Sequence, residues 1–194
     1  MSNHITLSKG ARVSLSKEGD SLNNLIIGLG WAPRKTPGVT FDLDGSTLML
    51  DENGKVVNAD DYIYYHHKES ACKSVICGKD NQTGDGEGDD EQMKVNLSLI
   101  PARIHVLRFV VHIHEAIERG QNFGLVDKAY FRIEDADKGE TLYRFDLSED
   151  YSTETGVVMA EVYRHDGGWK VRTLGTGYND GLIGILTEVG LTAG

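Results

Sequence analysis

Short apolar stretches separated by turn residues run through most of the chain. Between residues 93 and 99, apolar and polar side chains alternate, which is the period-two pattern of a half-buried β-strand. Residues 104–114 form the most apolar segment and predict a central strand. The tripeptide Asp166-Gly167-Gly168 lies between two further apolar runs and is typical of a hairpin turn. Many short strands with regular turns predict a β-sandwich.

The same pattern predicts one helix near the C-terminus. Between residues 179 and 190, apolar residues recur at helical spacing, and Asn179 or Asp180 is a suitable N-cap. A single helical turn is predicted at residues 115–119. The predicted fold is therefore mainly all-β, an antiparallel β-sandwich with a short C-terminal helix, in one domain over residues 1–194. The predicted strands are 22–31, 39–50, 55–57, 62–65, 73–77, 93–99, 104–114, 126–134, 141–147, 157–165 and 169–174.

Composition narrows the classes of function. The chain has 194 residues and a formal net charge of −10, which disfavours nucleic acid as a partner because phosphate backbones require a basic surface. It also disfavours simple electrostatic adsorption to anionic lipid. The N-terminus lacks an apolar signal core, and no apolar stretch approaches the ~20 residues of a membrane span. We therefore expect a cytoplasmic protein.

The most unusual stretch is the acidic loop, residues 80–91, which reads Asp-Asn-Gln-Thr-Gly-Asp-Gly-Glu-Gly-Asp-Asp-Glu. It has no Lys or Arg, and three glycines alternate with acids. A run of like charges is usually a solvated surface loop, and that interpretation stays open. The alternative is a hard divalent cation such as calcium, which takes six to eight oxygen ligands and would offset the repulsion. The acids are Asp80, Asp85, Glu87, Asp89, Asp90 and Glu91.

Asp42 and Asp44 form a second acidic pair. In a strand, residues two apart face the same side, so these two carboxylates would project together while Phe41 and Leu43 face the core. Paired carboxylates repel unless a cation or protons lie between them, although a solvent-facing edge explains the pattern equally well. Combined with the acidic loop, the pair favours a composite cation site.

The sequence fits other known metal-binding and catalytic motifs poorly. The acidic loop has the length of an EF-hand loop, but Gln82 and Gly84 stand where Asp or Asn is expected, and Asp85 replaces the turn glycine. His112 and His114 alternate on a strand and could bind a transition metal, but the polar face of a sheet explains them better. No nucleophile–base set is evident from the sequence, so we expect a protein that is not an enzyme.

With these residues in view, the chain resembles the TerD family of bacterial tellurite-resistance and stress proteins, which bind calcium. Two departures are notable: Ala32 stands where the family usually has Asp, and Gln82 where it has Leu. The matching stretches are Leu7-Ser8-Lys9-Gly10, Gly28-Leu29-Gly30-Trp31, Phe41-Asp42-Leu43-Asp44, residues 83–91, Arg119-Gly120-Gln121-Asn122-Phe123-Gly124, Phe145-Asp146-Leu147-Ser148-Glu149-Asp150, Glu161-Val162-Tyr163-Arg164-His165 with Trp169-Lys170, and Gly177-Tyr178 with Gly181-Leu182.

The resemblance implies a β-sandwich, cytoplasmic residence and one or two calcium ions held by the acidic loop and the Asp42/Asp44 strand. It also implies a part in resistance to tellurite and related stresses. The ligand residues expected on this basis are Asp42, Asp44, Asp80, Asn81, Thr83, Gly84, Gly86, Glu87, Asp89, Asp90 and Glu91.

The function expected from the sequence is a non-enzymatic, calcium-dependent scaffold with protein partners in a stress-response assembly. A calcium-dependent membrane-adaptor module is a second class, which the absence of apolar or basic lipid contacts in the acidic loop disfavours. A metal-dependent hydrolase is a third, and it would require an open coordination position at the metal.

Overall fold

The structure is a computed structural model that describes residues 4–15, 22–33, 41–78, 88–147 and 151–192. Within these ranges the backbone forms twelve strands and two α-helices. In chain order they are β1 Ile5–Leu7, β2 Arg12–Ser14, β3 Asn24–Pro33, β4 Leu43–Leu50, β5 Tyr62–Ile63, β6 Val75–Cys77, β7 Glu91–Asn96, β8 Val106–Ile113, α1 Ala116–Arg119, β9 Val126–Asp135, β10 Glu140–Asp146, β11 Gly156–His165, β12 Gly168–Tyr178 and α2 Gly181–Glu188.

The strands form two six-stranded sheets, so the predicted β-sandwich is confirmed. The first sheet has the order β1-β10-β9-β3-β7-β6, and the second has the order β2-β12-β11-β8-β4-β5. Neighbouring strands pair antiparallel, except that β1 runs parallel to β10. The predicted central strand is confirmed, since β8 lies inside the second sheet.

The core lies between the two sheets. Alternate residues of β3, Leu25, Ile27 and Leu29, are buried in it. Phe109 from the second sheet meets Phe131 from the first with ring centroids 5.6 Å apart. Burial of these side chains is the main favourable contribution to folding.

A second apolar cluster covers the outer face of the second sheet. Ile185 and Leu186 of helix α2, with the following Val189, pack against Leu48 of β4 and Val110 of β8. Because β4 is covered on both faces, all eight of its residues are buried. The predicted C-terminal helix is confirmed, and Asp180 is its N-cap residue.

Several boundaries differ from the prediction. Residues 97–99 form a 3₁₀ turn, with Leu97 buried and Leu99 exposed, so the alternating pattern extends beyond the end of β7. Residues 55–57 are not a strand. The two short N-terminal strands β1 and β2 were not predicted, because three residues give too little periodic pattern to detect.

The predicted hairpin between β11 and β12 is confirmed. Asp166 and Gly167 both have positive φ, at 50° and 76°, and His165 pairs with Gly168 across this two-residue loop. Two successive positive φ angles define the hairpin turn whose twist matches that of the flanking strands.

Candidate functional site

The end of the acidic loop lies against the outer face of the first sheet. The Asp89 carboxylate sits above Gly28 of β3, and its side chain is 1% exposed. Arg132 donates from Nε to Oδ1 at 2.7 Å and from Nη2 to Oδ2 at 2.6 Å. Tyr130 Oη donates to Oδ1 at 2.9 Å, and Gln92 Nε2 donates to Oδ2 at 2.9 Å. Four donors therefore meet the four lone-pair directions of this carboxylate.

Strand register explains why these donors converge. Gly28 pairs with Arg132 of β9 on one side and with Gln92 of β7 on the other. A Cβ on Gly28 would lie 2.3 Å from Asp89 Oδ2, and a Cβ on Gly30 would lie 2.3 Å from the Tyr130 ring. The two glycines in the Gly28-Leu29-Gly30 motif thus leave the space that Asp89 and Tyr130 fill.

The charges around the Asp89 carboxylate are matched. Burial acts to lower the pKa of Arg132, but hydrogen bonds to Asp89 and Glu134 outweigh it and raise that pKa above its ordinary value. Burial and the nearby Asp89 carboxylate also raise the pKa of Tyr130, so its hydroxyl stays a donor. Gly88, which precedes Asp89, has a φ of 103° that favours glycine, and its carbonyl oxygen lies 2.8 Å from Tyr130 Oη, the single hydrogen of which it shares with Asp89.

The next two acids lead into β7 and are also buried. Asp90 Oδ2 accepts a 2.9 Å hydrogen bond from the backbone N–H of Trp31, while the Asp90 N–H donates to Leu29 O at 2.9 Å. Glu91 is the first residue of β7 and shares its face with the core residue Met93, so it points between the sheets. Three consecutive acids therefore have three different surroundings.

Asp44 lies on the outer face of the second sheet. In β4, Leu43 points into the core and Leu48 into the cluster under α2, so Asp44 shares the outer side with Leu48. This agrees with the expectation that Leu43 faces the core and Asp44 projects away from it. Asp44 Oδ2 lies 3.6 Å from Nε2 of His112, on the neighbouring strand β8, and 3.6 Å from Nδ1 of His114, which follows that strand.

The two histidines differ in their surroundings. Burial, together with the nearby His114, lowers the pKa of His112 to about 4, although a hydrogen bond with the Asp44 backbone acts in the opposite direction. His112 is therefore a neutral imidazole at neutral pH. His114 is more exposed, and its backbone N–H donates to Asp42 O at 2.8 Å.

The predicted ligands thus fall into separate groups. Asp89 and Asp44 lie on opposite outer faces of the sandwich, so the structure does not bring these two carboxylates together. The part of the chain that the structure describes contains no group of three or more His, Cys, Asp or Glu side chains arranged to hold a metal ion. The ligand set stays a prediction, because Asp80, Asn81, Thr83, Gly84, Gly86 and Glu87 lie outside the described residues.

The donor chemistry at the described end of the acidic loop fits calcium. Asp90 and Glu91 supply carboxylate oxygens, the ligand type that this cation prefers, at a point where the rest of the acidic loop joins the sheet. Asp89 fits a ligand role less well, because its oxygens already accept four hydrogen bonds.

Sequence reasoning missed the residues that anchor Asp89. Arg132 and Tyr130 lie more than 40 positions away along the chain, at sequence separations of 43 and 41. Only the pairing of β9 with β3 places them beside Gly28. The detectable signal was the pair of glycines in an apolar strand, which often marks a site where another group approaches closely.

Among the described residues, none of the helices has the length and apolar character required to cross a membrane.

Comparison with known proteins identifies relatives along nearly the whole chain. The model of the TerD domain matches residues 3–188. General stress protein 16U of Bacillus subtilis is 46% identical over 191 residues, covering 98% of this chain and 99% of that protein. Tellurium resistance protein TerD of an Alcaligenes species is 45% identical, covering 97% and 98%.

A solved structure has the same fold. The crystal structure of a homologue of telluride resistance protein (TerD) from Streptomyces coelicolor superposes with a TM-score of 0.72. It covers 89% of this chain and all of that one at 19% sequence identity. At that identity the similarity shows the shared sandwich.

Proposed function

The chain belongs to the TerD domain family of tellurium-resistance and stress proteins, and from this membership we propose that it is a calcium-binding stress protein that contributes to tellurium resistance. In this proposal it acts as a non-enzymatic scaffold. Calcium orders the acidic loop, and the ordered surface binds a protein partner of a stress-response assembly.

The observation that supports calcium binding is the burial of Asp90 and Glu91 at adjacent positions where the acidic loop enters β7. Burying an ionised carboxylate is costly, and a divalent cation with carboxylate ligands offsets that cost. The preceding residues of the acidic loop supply further carboxylate, amide, hydroxyl and carbonyl oxygens.

The contacts of Asp89 support a division of roles within the acidic loop. Because its four lone-pair directions are met by Arg132, Tyr130 and Gln92, we assign Asp89 the role of anchor. It attaches the end of the acidic loop to the outer face of the first sheet. The proposed ligands are then Asp90 and Glu91, together with Asp80, Asn81, Thr83, Gly84, Gly86 and Glu87.

Asp42 and Asp44 have a different place in this proposal. Asp44 is on the other outer face, beside His112, so it would hold a second ion or have a structural role. The proposal therefore expects one calcium ion at the acidic loop, and it expects Asp44 substitutions to leave that ion in place.

Calcium titration of chelator-stripped protein tests the proposal. A ligand that binds only the folded state raises the melting temperature by mass action, so we expect a rise of roughly 5 °C or more in millimolar calcium. Substitution of Asp90→Asn together with Glu91→Gln should abolish most of that rise. Calorimetry should show a saturable binding heat for the unsubstituted protein.

The matched control removes the same two charges elsewhere, with Glu52→Gln and Asp60→Asn, both on exposed residues. This control should retain the full calcium response. A melting temperature that stays constant across millimolar calcium would overturn the proposal, and so would an equal loss of response in the control.

A further inference from the structure

A basic groove crosses the outer face of the second sheet at its β2 edge. It has a volume of about 440 Å³, and six of its lining residues are Arg12, Ser14, Tyr163, His165, Lys170 and Arg172. Three of these residues carry positive charge in a protein whose net charge is −10. The groove is thus positively charged, although the protein as a whole carries a net negative charge.

Strand register forces two of these cations together. Arg12 on edge strand β2 pairs directly with Arg172 on β12. Lys170 lies two residues before Arg172 and on the same face of β12. Directly opposed residues have Cβ atoms about 5 Å apart, and like charges at that spacing are destabilising. The groove therefore includes two opposed arginines, of which Arg172 is paired with Glu161.

Arg12 differs from the other arginines. Within the described part of the chain it is the one arginine without an ion pair, a hydrogen bond or an aromatic ring contact. Acidic side chains engage Arg103, Arg108, Arg119, Arg132, Arg144 and Arg172, and Arg164 donates to backbone carbonyls.

The acids near the groove do not neutralise it. Glu161, which is fully buried, binds Arg172 on one side and Arg108 on the other, where it accepts from Nε at 2.8 Å. Arg108 also pairs with Glu188, so two carboxylates balance these two guanidinium groups and Arg172 is a paired charge. Asp166 pairs with His165 at 2.6 Å, which leaves Arg12 and Lys170 without an acidic partner among the described residues.

We propose that this groove binds a small phosphorylated molecule that carries at least two negative charges, such as a diphosphate or a phosphate ester of nucleotide size or smaller. Arginine side chains match phosphate oxygens with paired hydrogen bonds, and a phosphate group beside Arg12 would give this arginine the anionic partner that it lacks among the described residues. Lys170 adds a flexible third charge. Tyr163 and Ser14 also line the groove.

This site is separate from the described end of the acidic loop. The groove is on the outer face of the second sheet, while Asp89 lies on the outer face of the first sheet. The groove needs no metal ion, so its ligand can be tested on protein stripped of calcium, and its failure would be distinguishable from failure of the calcium proposal.

The test is calorimetric titration of sodium pyrophosphate into metal-free protein at low salt, with citrate as a comparison anion. We expect saturable binding of pyrophosphate that weakens as salt increases. Arg12→Gln together with Lys170→Gln should weaken binding at least about tenfold, because charge-assisted hydrogen bonds are lost. Amide resonances of residues 12–14, 163–165 and 170–172 should shift on addition of pyrophosphate.

The matched control is Lys68→Gln with Lys94→Gln, which removes two exposed charges outside the groove. It should bind pyrophosphate as tightly as the unsubstituted protein. Absence of saturable binding, equal weakening in the control, or citrate binding as tight as pyrophosphate would each overturn the proposal.

Discussion

Arg132 binds both carboxylate oxygens of Asp89 directly above Gly28, with Nε 2.7 Å from Oδ1 and Nη2 2.6 Å from Oδ2. The ion pair is nearly excluded from solvent, since the two side chains are 17% and 1% exposed. It connects the end of an acidic, glycine-rich segment to the central region of the first sheet. The position of Asp89 therefore depends on Gly28, a residue with no side chain.

Substitution of Gly28→Ala should destabilise the protein by roughly 2–4 kcal/mol, because the new methyl group would occupy the place of the Asp89 carboxylate. Displacing Asp89 leaves a buried carboxylate away from its guanidinium partner. Urea unfolding followed by circular dichroism measures the change in the free energy of unfolding.

A double-mutant cycle separates this mechanism from a general intolerance of β3 to alanine. In an Asp89→Ala background, Gly28→Ala should cost no more than about 1 kcal/mol, because the clash has been removed. Equal costs in the two backgrounds would show that Asp89 does not occupy the space above Gly28.

Acidification should loosen the attachment of helix α2 through Glu188. Partial burial acts to raise the pKa of Glu188, but hydrogen bonds from Tyr178 and Arg108 outweigh it and hold that pKa below its usual 4.5. A lowered pKa in the folded state means that the stabilisation is complete above the unfolded-state value and is lost as pH falls through the folded-state value. Because the side chain is 47% exposed, solvent screening limits the contribution to about 1 kcal/mol or less.

The measurement is the melting temperature as a function of pH for the unsubstituted protein and for Glu188→Gln. The difference between them should be largest at neutral pH and should vanish in acid, where the carboxylate is protonated. Glu140→Gln, at an exposed position of β10, is the control and should show little difference at any pH. A Glu188→Gln difference that grows on acidification would contradict the prediction.

The two cysteines, which are both free thiols, should differ in reactivity. Burial acts to raise the pKa of Cys72, but hydrogen bonds from Ser74 and Ser70 outweigh it and lower that pKa. Burial, together with the charge of Glu91, raises the pKa of Cys77 to about 12. Because the thiolate is the nucleophile, Cys72 should react with iodoacetamide at least about tenfold faster than Cys77 near neutral pH.

Trypsin cleavage after Lys73 places the cysteines in different peptides, so mass spectrometry can follow each one. Ser70→Ala with Ser74→Ala should slow the alkylation of Cys72 and leave that of Cys77 unchanged. If the two thiols were alkylated at equal rates in the native protein, and both rates rose together on unfolding, hydrogen bonding would not activate Cys72.

Local pattern was sufficient for much of the fold. The alternation of residues in β7, the apolar run of β8 and the glycine turn between β11 and β12 each report on neighbouring residues only, and these elements were predicted correctly. The 3₁₀ turn at residues 97–99 was missed because Leu97 and Leu99 continue the alternation although the chain no longer extends. Strands of three residues carry too little pattern to be recognised.

The sequence by itself determined that this protein is a β-sandwich with a concentrated acidic segment, because periodicity, turn residues and charge are local properties of the chain. The tertiary structure alone decided which groups meet those acids. Asp89 lies beside Arg132, and Asp44 lies beside His112 on the opposite outer face. Arg12 lies opposite Arg172 on the neighbouring strand for the same reason. Packing of the whole core sets strand order and register, and these bring distant residues together.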